Sequence, residues 1–235
     1  MKQPSSKIFL ADERGSFGNE FFHRFCIFNY GTYYRDHRQA FGKLVVFNDE
    51  MLDAGHSTRI DAGGPGFLIL VPIIGALAME EEGQQENLIA AGQAEFFPVK
   101  EKKSLELRNP FSNGVVRYLH IQIRDDERMN DLILQKVTYD VNKYINQTRN
   151  ISPEFMNQSS PPFIISIGKF SGRGEYVYKS SLPRPAQFLF VVEGAFEAEG
   201  VLMHAGDGLA LPFRNKVEME SLSNNAILLS IELPS

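Results

Sequence analysis

Much is excluded by what the chain is short of. A single cysteine, Cys26, in 235 residues leaves no partner for an intramolecular disulfide and no thiolate set for a cysteine-based zinc site. It lies in the apolar run Phe25-Cys26-Ile27-Phe28 and reads as a buried, inert thiol. Lysine and arginine number 24 against 29 aspartates and glutamates, a net charge of -5. Without a basic excess to neutralise phosphates, wholesale nucleic-acid binding is excluded, and the local Lys100, Lys102 and Lys103 cluster reads as a solvated loop. No apolar run reaches the length of a membrane span, and MKQPSSKIFLADERG has no apolar signal core. A cytoplasmic location without a membrane partner is expected. Dinucleotide-binding, P-loop and nucleophile-elbow motifs are missing. The five histidines never fall two or four apart, so no close metal-ligand pair exists.

What is present points to strands. Nineteen glycines and 12 prolines punctuate many short apolar runs, the pattern of an all-β chain. Strands are expected at 43–48, 66–71, 76–80, 95–99, 104–108 and 115–123. A second series is expected at 163–170, 175–179, 187–192, 195–198, 208–212, 217–221 and 226–233. Stretches such as Leu105-Glu106-Leu107 and Val217-Glu218-Met219-Glu220 alternate with period two, one face in and one out. One short helix is expected around 127–135. The Glu80-Glu81-Glu82 run reads as a solvated hairpin end, and SGRGEY, 171–176, as a tight turn.

The two series repeat one another. VPIIGALAMEE followed by AAGQAEFFP has its counterpart about a hundred residues later in VVEGAFEAEG followed by HAGDGLALP. Each is strand, Gly-Ala turn, strand, then Ala-Gly and a strand ending at proline. Domains are therefore expected at 1–125 and 163–235, with the polar, Asn-rich stretch 126–162 as connector.

These units resemble cupins, double-stranded β-helix barrels, and their order resembles the pirin family of two-cupin proteins. ADERGSFGNEFFHRFCIFNYGTYY and FGKLVVFNDEMLDAG are similar to the opening of bacterial pirin relatives, and AGDGLAL and AILLSIELP to their ending. The resemblance spans nearly the whole chain and is weakest from 128 to 162. It implies a bicupin with one metal, usually iron, in the N-terminal barrel, held by a His-Pro-His pair and a His-x-Glu. Counted without gaps, those positions fall here on Asp61, Gly63, Leu105 and Leu107. Leucine donates nothing to a metal, and a lone carboxylate cannot hold a transition ion against water. The four residues are expected to line a former metal cavity, with no metal held.

Other polar residues are weighed for the same cavity. His120, in VVRYLHIQIR, falls where the resemblance puts an inward glutamine; it is either a proton carrier or polar anchor in the cavity, or a histidine satisfied by a neighbouring backbone carbonyl or facing the inter-domain surface. Glu95 and Arg59 are further candidates. His56 and His204 are expected to be exposed, and His23 and His37 to pack within aromatic clusters. The reading that follows is a non-catalytic bicupin binding an unknown small apolar ligand or protein partner, with no cofactor. The alternative is a metal-dependent oxidoreductase of the quercetin 2,3-dioxygenase type, using iron at a relocated site in the N-terminal cupin.

Overall fold

Alternation decides which way each strand faces. In Lys216–Ser221, Val217, Met219 and Ser221 are buried while Lys216 and Glu218 are exposed, so one edge of the sequence pattern becomes core and the other surface. The computed structural model describes residues 6–80, 87–125, 134–154, 162–183 and 185–234. Among these the structure is strands joined by turns, with one 3-10 turn at Ala11–Glu13. No helix is long and apolar enough to cross a membrane. The chain divides into two compact units, Gly15–Thr138 and Met1–Arg14 with Tyr139–Ser235.

The first unit has a seven-stranded sheet ordered Gln135–Thr138, Gln93–Val99, Gly66–Ile74, Val116–Arg124, Leu44–Leu52, Phe22–Cys26 and Gly15–Gly18. Its second sheet runs Ser57–Ala62, Lys103–Arg108, Ala76–Glu80 and Asn87–Ala90. Leu68, Leu70 and Phe97 from the first sheet pack with Ile60, Leu77, Leu105 and Leu107 from the second in one apolar cluster. The second unit repeats this plan. Lys7–Phe9, Gly208–Leu211, Ala186–Glu193, Ala226–Leu233, Ile164–Phe170 and Gln147–Asn150 form one sheet; Glu175–Lys179, Lys216–Ser221, Ala195–Ala198 and Val201–His204 form the other. Two all-β cupin barrels in one chain is the architecture the sequence pattern implies.

The repeated Gly-Ala turns explain themselves. Gly75 and Gly194 sit at φ +78° and +82°, where a side chain is strained. A Cβ on Gly75 would also stand 2.6 Å from Val116 Cγ2, and one on Gly194 2.8 Å from Ala226 Cβ.

The boundaries differ from expectation. The N-terminal segment, assigned with 1–125, pairs its strand Lys7–Phe9 with Gly208–Leu211 of the second unit. The stretch 126–162 is more than a connector: Gln135–Thr138 pairs with Gln93–Val99, and Gln147–Asn150 with Ile164–Phe170. These strands are short and largely exposed, so they carry little apolar periodicity. Their role is to cover sheet edges that would otherwise be open. Of the expected helix, 127–133 lie outside the described residues and Gln135 opens a strand. Glu81 and Glu82 also lie outside them.

The N-terminal strap is tied in by packing and capping. Phe9 is buried and meets Phe188 edge-on, centroids 6.2 Å apart. Asp207 accepts the Ala11 and His204 amide N–H groups, each at 2.7 Å. Phe9→Ala is therefore expected to destabilise the second unit by about 3 kcal/mol or more. Urea unfolding followed by circular dichroism measures this; a loss under about 1 kcal/mol would show the strap to be dispensable.

Candidate functional site

Strand pairing in the first barrel fixes where each candidate points. Leu105 lies opposite Ile60, Leu107 opposite Thr58, and Ser104 opposite Asp61. Leu105 and Leu107 are buried in the apolar cluster with Ile60, Ala62 and Met79, each worth roughly 1.5–3 kcal/mol of burial. Asp61 and Gly63, expected beside them, are instead exposed. A gap-free count slips the register by one residue, and one residue turns every side chain to the other face. The inward neighbours are Ile60 and Ala62. Asp61 accepts a short hydrogen bond from the Ser104 hydroxyl on the outer face. Arg59 is also outside, its side chain 78% exposed and 3.6 Å from Glu106. This wall of the barrel carries no metal donor.

The opposite wall is polar, and it gathers residues that the sequence reading did not single out. Glu50 is fully buried. Arg24 lies directly across from it on one neighbouring strand and Tyr118 on the other. Arg24 Nε donates to Glu50 Oε1 at 2.6 Å and Nη2 to Oε2 at 3.3 Å. The Tyr118 hydroxyl donates to Oε2 at 2.7 Å. His120, two residues further along the same strand, brings Nδ1 to 3.0 Å from Glu50 Oε1.

His120 thus points into the barrel, and its partner is a carboxylate rather than a backbone carbonyl. Its Nε2 lies 2.9 Å from Gln122 Nε2. That amide nitrogen also donates to the Asp61 carbonyl at 2.7 Å, while Gln122 Oε1 accepts from Gly63 N–H at 3.3 Å. The Gln122 amide can only donate towards His120, so Nε2 accepts and the imidazole hydrogen sits on Nδ1, facing Glu50. A continuous hydrogen-bonded line runs from the Gly63 loop through Gln122 and His120 to Glu50 and Arg24. Between that loop and Gln122 lies a cavity of about 10 Å³, room for about one water.

The charge state follows from the partners. Burial opposes ionisation of Glu50, but its interactions with His120 and Arg24 outweigh it and hold the carboxyl down to about 2. Burial pushes the Tyr118 phenol well above its ordinary range, and the neighbouring Glu50 carboxylate pushes it further.

Glu95 is also buried, at the far side of the same sheet. Asn87 Nδ2 donates to its Oε1 at 2.6 Å, and Lys136 Nζ lies 3.5 Å from its Oε2. Burial raises its pKa, against the pull of Asn87 and Lys136. Glu95 and His120 flank Leu70 in one cross-strand row, so they are neighbours in register without touching.

The remaining histidines are peripheral. His204 is exposed as expected. His56 is half-buried, stacked on Phe21 with centroids 3.8 Å apart. His23 and His37 are exposed, His23 because the alternation of its strand Phe22–Cys26 turns it outward. Among the described residues no three of His, Cys, Asp and Glu are grouped to hold a metal. A larger concavity, about 940 Å³, lies on the outer face of the second unit among Glu175, Glu197, Glu218 and Lys216; with Lys216 paired to Glu218 at 2.8 Å in solvent, it is an ordinary charged surface.

Residues 163–233 match the family described as the quercetinase C-terminal cupin domain. The structure of YhhW from Escherichia coli has a TM-score of 0.85 to this chain, with 17% identity over 98% of each. The bacterial pirin YhhW in complex with nickel(II), from the same organism, gives 0.84 and 17% over 98% of this chain and 99% of that one. A quercetin 2,3-dioxygenase from Acinetobacter baumannii gives 0.70 and 14% over 97% of this chain and 79% of that one. No curated protein matches the chain.

Two predictions follow from the buried carboxylates. A carboxyl with a folded-state pKa of about 2 against a model 4.5 contributes stability that is complete above pH 4.5 and lost as pH falls towards 2. The contribution is about 3 kcal/mol. Unfolding curves between pH 7 and 2 should show this decline, and Glu50→Gln should flatten it while lowering stability at pH 7. Lys136→Met leaves the Glu95 charge without its cation, at a cost of about 1–2 kcal/mol at pH 7 because Lys136 is partly solvated. Near pH 4, where Glu95 is protonated, that difference should close.

Proposed function

We propose that this two-cupin chain, whose residues 163–233 match the quercetinase C-terminal cupin family and whose fold is that of YhhW, is a pirin-type binding protein whose first barrel holds no metal. The observation that carries this reading is the burial of Leu105 and Leu107 on one strand and Ile60 on its neighbour, opposite Leu105, in one apolar cluster. Iron or nickel needs three or four converging nitrogen or oxygen donors, and four inward positions on this wall offer none. The residues present do not fit the group, and no step of a reaction is routed through it. Its occupant is a small apolar molecule, or its partner another protein, and its role is regulatory rather than catalytic.

A second reading rests on the barrel's polar wall. His120 and Glu50 lie 3.0 Å apart inside the same barrel, and the fold is shared with a quercetin 2,3-dioxygenase. Iron relocated onto this pair would supply a Lewis acid. Against it stands the occupancy of both groups: Glu50 already accepts from Arg24 and Tyr118, and His120 Nε2 from Gln122.

Metal analysis of protein purified without chelator separates the two, together with quercetin absorbance under air after loading with iron(II), nickel(II) or copper(II). The expected result is substoichiometric metal and no flavonol loss beyond the metal-only control. Stoichiometric metal, or turnover abolished by His120→Ala, would establish the second reading.

A further inference from the structure

One aromatic ring in the first barrel is held by charge and ring contacts instead of hydrogen bonds. Tyr30 is half-buried and stands edge-on to His120, centroids 5.9 Å apart at 85°. The Arg24 guanidinium lies 4.9 Å from the Tyr30 ring centroid and 5.0 Å from that of Phe22. Among the described residues the Tyr30 hydroxyl has no hydrogen-bond partner. The backbone that carries it is a short turn: Tyr30 and Tyr33 exchange two hydrogen bonds, at 3.2 and 3.0 Å, around Gly31 at φ +57°. Thr32 and Tyr34 beside it are exposed. A ring attached this way can swing out without breaking a sheet.

The residue directly across from His120 has an unmet need. Asn48 is 1% exposed, and its Oδ1 has no hydrogen-bond partner. Its Nδ2 donates to Glu50 Oε1 at 3.3 Å, which fixes the amide orientation and leaves the oxygen as the free end. Asn48 lies directly opposite His120 on one side and Cys26 on the other. Buried acceptors of this kind almost always have a donor.

We propose that Tyr30 is the built-in occupant of a ligand slot, and that the slot takes a neutral, single-ring aromatic molecule bearing one O–H or N–H. The ligand displaces the Tyr30 ring, lies under Arg24 against the edge of His120, and donates to Asn48 Oδ1. This rests on reading the first barrel as a binding chamber. The ring requirement comes from the guanidinium face, which attracts a π-system. Neutrality comes from Glu50, which already balances Arg24. The limit to one ring comes from size: what enters replaces what leaves, a single phenol ring. The donor requirement comes from Asn48.

The probe is p-cresol, the tyrosine side chain freed from its backbone, with toluene as the ring without a donor. Tyr30→Ala removes the plug, and Tyr30→Val serves if the alanine variant does not fold. If the native ring fills the slot most of the time, its removal should tighten p-cresol binding about tenfold. Toluene should bind the same variant several-fold more weakly. The His120 imidazole resonances should move as p-cresol saturates the slot. Equal p-cresol affinity with and without Tyr30, equal binding of toluene, or unmoved His120 resonances would each overturn the proposal. Should neither variant fold, the unmodified chain at millimolar p-cresol decides it by the His120 resonances alone. Failure here leaves the metal-free reading standing, since that is judged by metal content and quercetin turnover.

Discussion

An ionised carboxylate in the middle of a barrel constrains everything around it. Left alone, Glu50 would cost several kcal/mol of desolvation. Its row therefore reads Arg24, Glu50, Tyr118 across three neighbouring strands, cation on one side and hydroxyl on the other. The strand Val116–Arg124 then continues the network in steps of two, Tyr118, His120, Gln122, since every second residue faces inward. Gln122 carries it to the exposed Gly63 loop. The wall with Leu105 and Leu107 is hydrocarbon, while the wall facing it carries a continuous hydrogen-bond chain.

The second barrel hides a glutamate too, and solves the same problem differently. Glu232 accepts from the hydroxyls of Tyr178 and Ser180 and from the amide N–H groups of Ser181 and Leu182. Burial and the adjoining Glu232 push the Tyr178 phenol far above its usual range. These four donors are all neutral, and three of them come from one short loop, so the arrangement pins that loop to the barrel. Glu50 instead ties three strands together and uses a guanidinium. In the first barrel the cation on the buried carboxylate also meets the Tyr30 ring, 4.9 Å from its centroid.

Fold and site were legible in the sequence to different depths. The Gly-Ala turns at Gly75 and Gly194 announced the repeated barrel because a left-handed turn against a close neighbour leaves few residue choices. The leucines at 105 and 107 could be placed because they sit in an alternating strand. Asp61 and Gly63 could not: the strand Ser57–Ala62 has too little apolar contrast to fix its phase, and a slip of one residue reverses its faces. Glu50 was hidden for another reason. Asn48-Asp49-Glu50 reads as the polar end of a strand, yet the strand runs on to Leu52. It does so because Asp49 pairs with Arg117 at 2.9 and 3.0 Å while Glu50 pairs with Arg24. Those partners are distant in sequence, and no local pattern marks them. An inward-facing Asn-x-Glu followed by leucine is the one signal that could have been followed.

The state of these groups also bears on what the chamber is suited to do. General acid–base work needs a group free to gain or lose a proton near the working pH. Glu50 is held ionised, with Arg24, Tyr118 and His120 all on it, and both nitrogens of His120 are engaged. Moving a proton through either would break the line to Gln122 and the Gly63 loop. Exchange of one neutral ring for another disturbs none of this. It leaves every charge where it is, keeps the guanidinium face covered, and adds the hydrogen bond that Asn48 Oδ1 lacks. On the proposed reading, this arrangement suits equilibrium binding, with the Tyr30 turn setting how often the slot would open.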